Sequence, residues 1–133
     1  MKAFLFVLSV SLFSVFAQAH NFHSENFCSE TDANVCAHIG YNEEFTAEKY
    51  YEFVLHSTAP NADKIENLSI ELWMDMGNGH GHGSVPVQFS KFGPGLFKVT
   101  QVYFIMMGEW QIKVNFDLEG KNHQLIIPVQ INK

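Results

Sequence analysis

The sequence predicts an all-β sandwich of about seven antiparallel strands, and two observations lead to this fold class. From about residue 45 onward, apolar and polar residues alternate in short runs, the period-two pattern of strands that are buried on one face. Turn signals rich in glycine, proline and asparagine separate these runs at regular intervals. No stretch has a convincing helical period beyond a possible short turn at residues 46–50. Short, regularly spaced strands favour an immunoglobulin-like sandwich.

The predicted core comes from one parity of the alternating runs, which are rich in β-branched and aromatic residues. These positions are Tyr51, Phe53 and Leu55; Leu68, Ile70, Leu72 and Met74; Val85, Val87 and Phe89; Trp110, Ile112, Val114, Phe116 and Leu118; and Leu125, Ile127, Val129 and Ile131. Between these runs, Phe97 and Val99 share one parity, whereas Val102 and Phe104 share the other. A β-bulge near residues 100–101 would explain the change.

Residues 1–19 have the pattern of a secretory signal peptide. Lys2 supplies a short positive region, residues 4–16 form an apolar run, and Ala17-Gln18-Ala19 is a small-x-small cleavage site. The apolar run is short for a membrane span of about 20 residues, although a retained N-terminal anchor is the alternative. We therefore expect an exported bacterial protein, periplasmic or secreted, with no membrane insertion after signal cleavage.

The region after the predicted cleavage site divides into two parts. Residues 20–44 are polar and weakly periodic, and we interpret them as an N-terminal arm that leads into a single sandwich domain at residues 45–133. Cys28 and Cys36 are the only cysteines, and an even, close pair in an oxidising compartment is most often a disulfide. The alternative is a pair of thiolate metal ligands.

Charge and motif content exclude several function classes. The formal net charge is −6 and the chain contains no arginine, so nucleic acid and anionic membranes are poor partners. The serines and histidines form no recognisable nucleophile motif, and the acidic residues are scattered without pairing. The sequence therefore predicts a protein that is not an enzyme.

Soft metal ligands are concentrated in two short segments. Met74, Met76, His80 and His82 lie within nine residues that also contain three glycines, and Met106-Met107 follows beside another glycine and a tryptophan. All methionines other than the initiator belong to these segments. Thioether sulfur together with imidazole nitrogen favours copper over calcium or magnesium. This pattern predicts a copper site, with Cu(I) favoured over Cu(II).

Each of these residues also has a structural explanation. Met74 has the inward parity of its strand, where methionine often fills gaps in a core. A solvated turn would account equally well for His80 and His82, which we place in a glycine-rich loop. Met106 has the inward parity of the preceding phenylalanine and Met107 faces the other way, so we expect only one of them to join a site.

The other histidines give weaker signals. Cleavage at the predicted site would make His20 the first residue, and its α-amine and imidazole could chelate Cu(II) with His23 as a further nitrogen ligand. The alternative is a disordered terminus without function. His38 and His56 are weaker metal candidates, and His123, near a turn, is predicted to lie at the surface.

Two motifs resemble a known family. The segment from Trp73-Met74-Asp75-Met76 to Val87 resembles the Met-Pro-x-Met-Gly-His-Gly stretch of YtkA-like and FixH-like periplasmic domains. Residues 95–114 resemble that family's Gly-x-Tyr … Phe-x-Met-x-Gly-x-Trp-x-Ile-x-Val stretch. The resemblance implies a small immunoglobulin-like sandwich associated with copper handling or cytochrome oxidase assembly. It carries over three ligands, which are Met76, His82 and Met106. Asp75 departs from the pattern, because the family has proline there.

Two functions are therefore expected. The first is an exported copper-binding protein that acts as a chaperone, buffer or resistance factor, with Met76, His80, His82 and Met106 as ligands. Met74 or Met107 would support that site. The second is an accessory domain without a metal, whose methionine and tryptophan patch docks on a membrane oxidase-assembly or efflux complex.

Overall fold

The computed structural model describes residues 25–133, which form two antiparallel β-sheets that pack as a sandwich. The elements are β1 (Phe27–Cys28), β2 (Cys36–Gly40), β3 (Tyr50–Ser57), a 3₁₀ turn (Ala62–Lys64), β4 (Glu66–Gly77), β5 (His80–Gly83), β6 (Gln88–Gly93), β7 (Leu96–Tyr103), β8 (Gly108–Leu118) and β9 (Lys121–Ile131). One sheet has the order β1-β2-β3-β7-β6 and the other β5-β4-β8-β9. The predicted all-β, immunoglobulin-like sandwich is confirmed.

The core lies between the sheets and follows the alternation of most runs, but Val85 and Phe89, which were predicted to be buried, are exposed. In β8, Trp110, Ile112 and Val114 are almost fully buried, and on the paired strand β9 Leu125 and Ile127 are equally buried. Burying each of these side chains contributes about 1.5–3 kcal/mol before the opposing loss of conformational entropy. Burial of the apolar side chains of the period-two pattern therefore holds the two sheets together.

A bulge interrupts the pairing of β3 with β7 at the predicted position. Tyr51 pairs with Val102, but Phe53 pairs with Val99, so β7 contains one extra residue between these pairs. Gln101 in this interval has a φ of 60°. The extra residue returns the apolar residues on both sides of it to the core, which confirms the bulge near residues 100–101.

The described part of the predicted N-terminal arm belongs to the five-stranded sheet. Cys28 and Cys36 form the predicted disulfide and face each other in the pairing of β1 with β2. β2 then pairs along β3. Together with the pairing of β5 along β4, this raises the number of strands in the described chain to nine.

The prediction that His123 lies at the surface is wrong. Its side chain is only 3 % exposed, and its Nδ1 atom lies 3.2 Å from the hydroxyl of Ser29. The reason is the start of β9 at Lys121, which gives His123 the inward parity of Leu125. The hydroxyl supplies the hydrogen bond that a buried imidazole requires.

Some predictions fall outside the described residues. The predicted signal peptide at residues 1–19 and the candidate ligands His20 and His23 precede residue 25, where the description begins. Within the described residues, no helix is long and apolar enough to cross a membrane.

Candidate metal site

The histidines of the His-Gly-His segment lie on a strand, not in a loop as predicted. Asn78 and Gly79 have φ values of 52° and 75°, the positive values that a type I′ hairpin turn requires at both central residues. The chain therefore reverses immediately after Gly77, and β5 pairs back along β4 from His80 onward. The hairpin fixes the positions of both histidines relative to β4.

The Trp73 side chain leaves no room for a side chain at Gly81, the residue between the two histidines. A Cβ atom at Gly81 would lie 2.3 Å from the Cζ2 atom of Trp73, because the indole ring covers that face of β5. The Nζ atom of Lys113 lies 4.7 Å from the centre of the Trp73 ring. Since side chains alternate along a strand, His80 and His82 occupy the opposite face from Gly81. This face is the one that carries Met74, because Met74 pairs directly with His82.

Met76 occupies a bulge in the hairpin. Asp75 pairs with Gly81 and Gly77 pairs with His80, so Met76 is an extra residue on β4. Its side chain is 56 % exposed, whereas that of Met74 is 7 % exposed. The backbone N–H of Gly77 donates a hydrogen bond to the Asp75 carboxylate at 2.9 Å. The two methionines, equal in sequence parity, therefore differ in their access to an ion.

The segment between β7 and β8 is anchored by an aromatic pair. Trp110 and Phe104 are buried and their ring centres are 5.4 Å apart. The Nε1–H group of Trp110 donates a hydrogen bond to the carbonyl of Met106 at 2.9 Å. The backbone around Met106 is therefore held while the Met106 and Met107 side chains are 38 % and 52 % exposed.

Two contacts bring this segment to the hairpin. A Cβ atom at Gly108 would lie 2.8 Å from the terminal methyl group of Met74, so the Met74 side chain ends against the backbone beside Met107. The Ser84 hydroxyl, one residue after β5, donates a hydrogen bond to the carbonyl of Tyr103. Met74, with its cross-strand neighbour His82, therefore lies at the same end of the sandwich as Met106-Met107.

The possible metal ligands at this end of the sandwich include sulfur as well as nitrogen atoms. Among residues 25–133, no group of three or more His, Cys, Asp or Glu side chains could hold a metal ion. The additional donors that the hairpin end offers beside His80 and His82 are the methionine sulfurs. Two exposed imidazoles and exposed thioethers are a ligand set that fits Cu(I) and does not fit calcium or magnesium.

A second pair of histidines lies close together in the structure, although the sequence did not predict that they are neighbours. His38 on β2 pairs directly with His56 on β3, and their Nε2 and Nδ1 atoms are 3.2 Å apart. Burial, together with repulsion from a charged His56, lowers the pKa of His38 below its usual value. Sequence parity placed each residue separately, but only the strand register brings them together.

A family model described as YtkA-like matches residues 30–115. The chain belongs to the YtkA-like family. The matched region of this YtkA-like protein begins between the two cysteines, contains the hairpin and the segment around Met106, and ends in β8. No curated protein and no solved structure is similar enough to the chain to add a named relative.

Proposed function

We propose that this YtkA-like protein is an exported copper-binding protein that serves as a chaperone, buffer or resistance factor. The observation that carries the proposal is the contact of Met74 with Gly108. It places the strand position opposite His82 against the segment that bears Met106-Met107. Two short ligand-rich segments that are far apart in sequence thus share one end of the sandwich.

Cu(I) is the form of copper that these side chains suit best. Thioether sulfur is a soft, neutral ligand, and imidazole binds copper through a neutral nitrogen. We assign Met76, Met106 and one or both of His80 and His82 as ligands. Their exposure allows an ion to enter and leave without unfolding of the hairpin, which suits transfer between proteins.

Met74 is assigned a supporting role. Its side chain is buried and touches Gly108, so it connects the two ligand-bearing segments whether or not its sulfur binds the ion. Met107 is exposed and is the alternative thioether of the second segment. His20 and His23 remain a separate proposal, a Cu(II) chelate at the N-terminus that cleavage after residue 19 would create.

Anaerobic titration with Cu(I) against a competing chelator tests the proposal. We expect affinity tighter than micromolar, and we expect Met76→Leu, Met106→Leu and the double change His80→Ala with His82→Ala each to lower it at least about tenfold, or about 1.4 kcal/mol. His56→Gln is the matched histidine control and should leave Cu(I) affinity unchanged. Binding weaker than micromolar, or equal loss in the control, would contradict the proposal.

A docking function is the second candidate. Ile105, Met106 and Met107 are consecutive exposed apolar residues, and exposed apolar clusters often mark interaction sites. The partner we propose is a membrane efflux or oxidase-assembly complex, for which flexible methionines provide an adaptable surface. The His80→Ala and His82→Ala double change distinguishes the two functions. Partner capture would persist in it if docking is the function, whereas copper binding would be lost.

A further inference from the structure

A row of polar side chains crosses the outer face of the five-stranded sheet. His38 and His56 are half-buried and directly opposite each other on β2 and β3. Their rings are nearly perpendicular, at 85°, with centres 4.8 Å apart. Asn26, immediately before β1, lies with its Oδ1 atom 3.2 Å from Nδ1 of His38. The row therefore contains two imidazoles whose nitrogens face each other and an amide that contacts one of them.

The hydrogen bonds define which nitrogen carries each proton. An amide oxygen only accepts, so Nδ1 of His38 carries a hydrogen and donates it to Asn26. In the neutral ring, Nε2 of His38 then has a lone pair, and Nδ1–H of His56 donates to it across 3.2 Å. An oxygen acceptor thus fixes one nitrogen of His38, as is usual for a metal-binding histidine, and the other nitrogen faces His56.

The separation of the two facing nitrogens suits a shared cation. Two nitrogens bound to one ion at about 2.0–2.1 Å lie about 2.9 Å apart at a right angle and about 3.4 Å apart at a tetrahedral angle. The observed 3.2 Å falls between these values. A cation bound there would replace the hydrogen bond between the rings, and both side chains would rotate until their lone pairs converge on the ion.

We propose that His38 and His56 form a second metal site, a bidentate imidazole site for a divalent cation of borderline softness. Nε2 of His38 and Nδ1 of His56 are the ligands, and water completes the coordination. Binding requires the tautomer of His56 that carries its proton on Nε2, which gives Nδ1 a lone pair for the ion and releases no net proton. Cu(II) should bind more tightly than Ni(II) or Zn(II), according to the general order for nitrogen sites.

The residues of β7 nearest to the pair carry no unpaired charge. The strand neighbour of His56 on β7 is the uncharged Leu96. In the next row, Lys98 is already paired with Glu52 at 3.3 Å. β7 therefore contributes no cation that would repel a metal ion at the two ring nitrogens.

The disulfide supports this site from the adjoining strand. Cys28 and Cys36 are directly paired, and each lies two residues from Asn26 and His38, respectively. The bond holds the start of β1 against β2, and with it the amide that orients His38. The proposed site is on the opposite sheet from the hairpin and does not depend on Cu(I) binding there.

Residue-specific NMR of the imidazole nitrogens tests the proposal with the full chain. On titration with Zn(II), we expect the ring signals of His38 and His56 to shift together and to saturate with one ion per pair. The same two signals should be broadened first on addition of substoichiometric Cu(II). His38→Gln and His56→Gln should each abolish the response of the remaining partner, whereas the control His82→Ala should leave it intact. Circular dichroism verifies that all variants are folded.

A second variant set tests the supporting residues. Asn26→Ala should weaken Zn(II) binding to the pair by about 10- to 100-fold, the usual cost of losing an orienting partner. The double change Cys28→Ser with Cys36→Ser should weaken it in the same direction. Unchanged His38 and His56 ring signals at saturating Zn(II), or independent shifts of the two rings, would overturn the proposal. Loss of the response in His82→Ala would assign the ion to the hairpin instead.

Discussion

The β4–β5 hairpin and the β2–β3 pair each bring two histidines together, but by different means. In the hairpin, His80 and His82 lie on one short edge strand, between glycines and beside exposed thioethers. In the β2–β3 pair, His38 and His56 lie on neighbouring strands and are hydrogen-bonded to each other. The hairpin thus offers adaptable mixed ligands, whereas the strand pair offers fixed nitrogens. The two arrangements suit different oxidation states of a soft or borderline metal.

The difference originates in the residues next to the histidines. Gly81 is small because the Trp73 ring occupies the space where a side chain would lie. Ala37 and Leu55, beside His38 and His56, are instead buried in the core. The hairpin histidines therefore lie on an edge strand, whereas His38 and His56 lie on strands whose adjacent residues pack into the core.

The largest expected effect on stability comes from a substitution at the hairpin end of the sandwich. Met74→Ala should lower the free energy of unfolding by about 3 kcal/mol, because it leaves a cavity between β4 and Gly108. Met74→Leu conserves the volume and should cost less than about 1.5 kcal/mol. Chemical denaturation measures both. An alanine variant as stable as the leucine variant would show that Met74 does not connect the two segments.

The next prediction concerns the disulfide that lies beside the β2–β3 pair. The double change Cys28→Ser with Cys36→Ser should lower the free energy of unfolding by about 2.5 kcal/mol, because the disulfide closes a short loop in the unfolded chain. Cu(I) affinity at the hairpin should stay unchanged, since the cysteines lie in the opposite sheet. Denaturation and Cu(I) titration of the same variant check both parts. A parallel loss of Cu(I) affinity would show that the two regions are not independent.

A pair of glycine substitutions sharpens the account of the hairpin. Gly81→Ala should destabilise the protein by about 2 kcal/mol, because its Cβ would meet the Trp73 ring and the backbone of Met74. Gly83→Ala is the matched control, since the nearest atom to its Cβ would be the carbonyl oxygen of Leu72 at 3.9 Å. Thermal unfolding compares the two variants. Equal stability would contradict the role assigned to Trp73.

The smallest expected effect concerns pH and the β2–β3 pair. Because the pKa of His38 is lowered from 6.5 in the folded protein, the unfolded chain binds more protons between that lowered value and 6.5. His38 therefore makes stability fall as the pH decreases through this window, and its contribution is complete above it. His38→Gln should lose less stability than the wild type from about pH 7.5 to about pH 5. Denaturation at a series of pH values measures the difference, and identical profiles would contradict it.

Local pattern in the sequence was enough to predict the fold, but it did not predict the position of every candidate ligand. The alternation predicted the sandwich, and the parity change between Val99 and Val102 predicted the bulge that the register confirms. Equal parity would place Met76 on the same face as Met74, but the hairpin bulge separates the two residues. A glycine-rich segment was interpreted as a loop, although Asn78-Gly79 alone forms the turn.

What the pattern lacked was register between strands that are distant in sequence. His38 and His56 are neighbours because β2 pairs with β3 in one register out of several that would bury the same apolar residues. His123 shares the inward parity of Leu125, but the hydroxyl that satisfies its ring nitrogen belongs to Ser29, just after β1. The contact between His38 and His56 and the contact between Ser29 and His123 each join residues far apart in sequence, and a single sequence contains no direct signal for them.

The most direct test of the central claim follows the methionine methyl groups by NMR during anaerobic addition of Cu(I). Only four methionines follow the initiator, so each methyl signal can be assigned by a leucine substitution. We expect the signals of Met76 and Met106 to shift together and to saturate at one equivalent, while the ring signals of His38 and His56 stay unchanged. Methyl signals that do not respond to Cu(I), or that respond only after the His38 and His56 rings, would contradict the assignment of the hairpin end as the copper site.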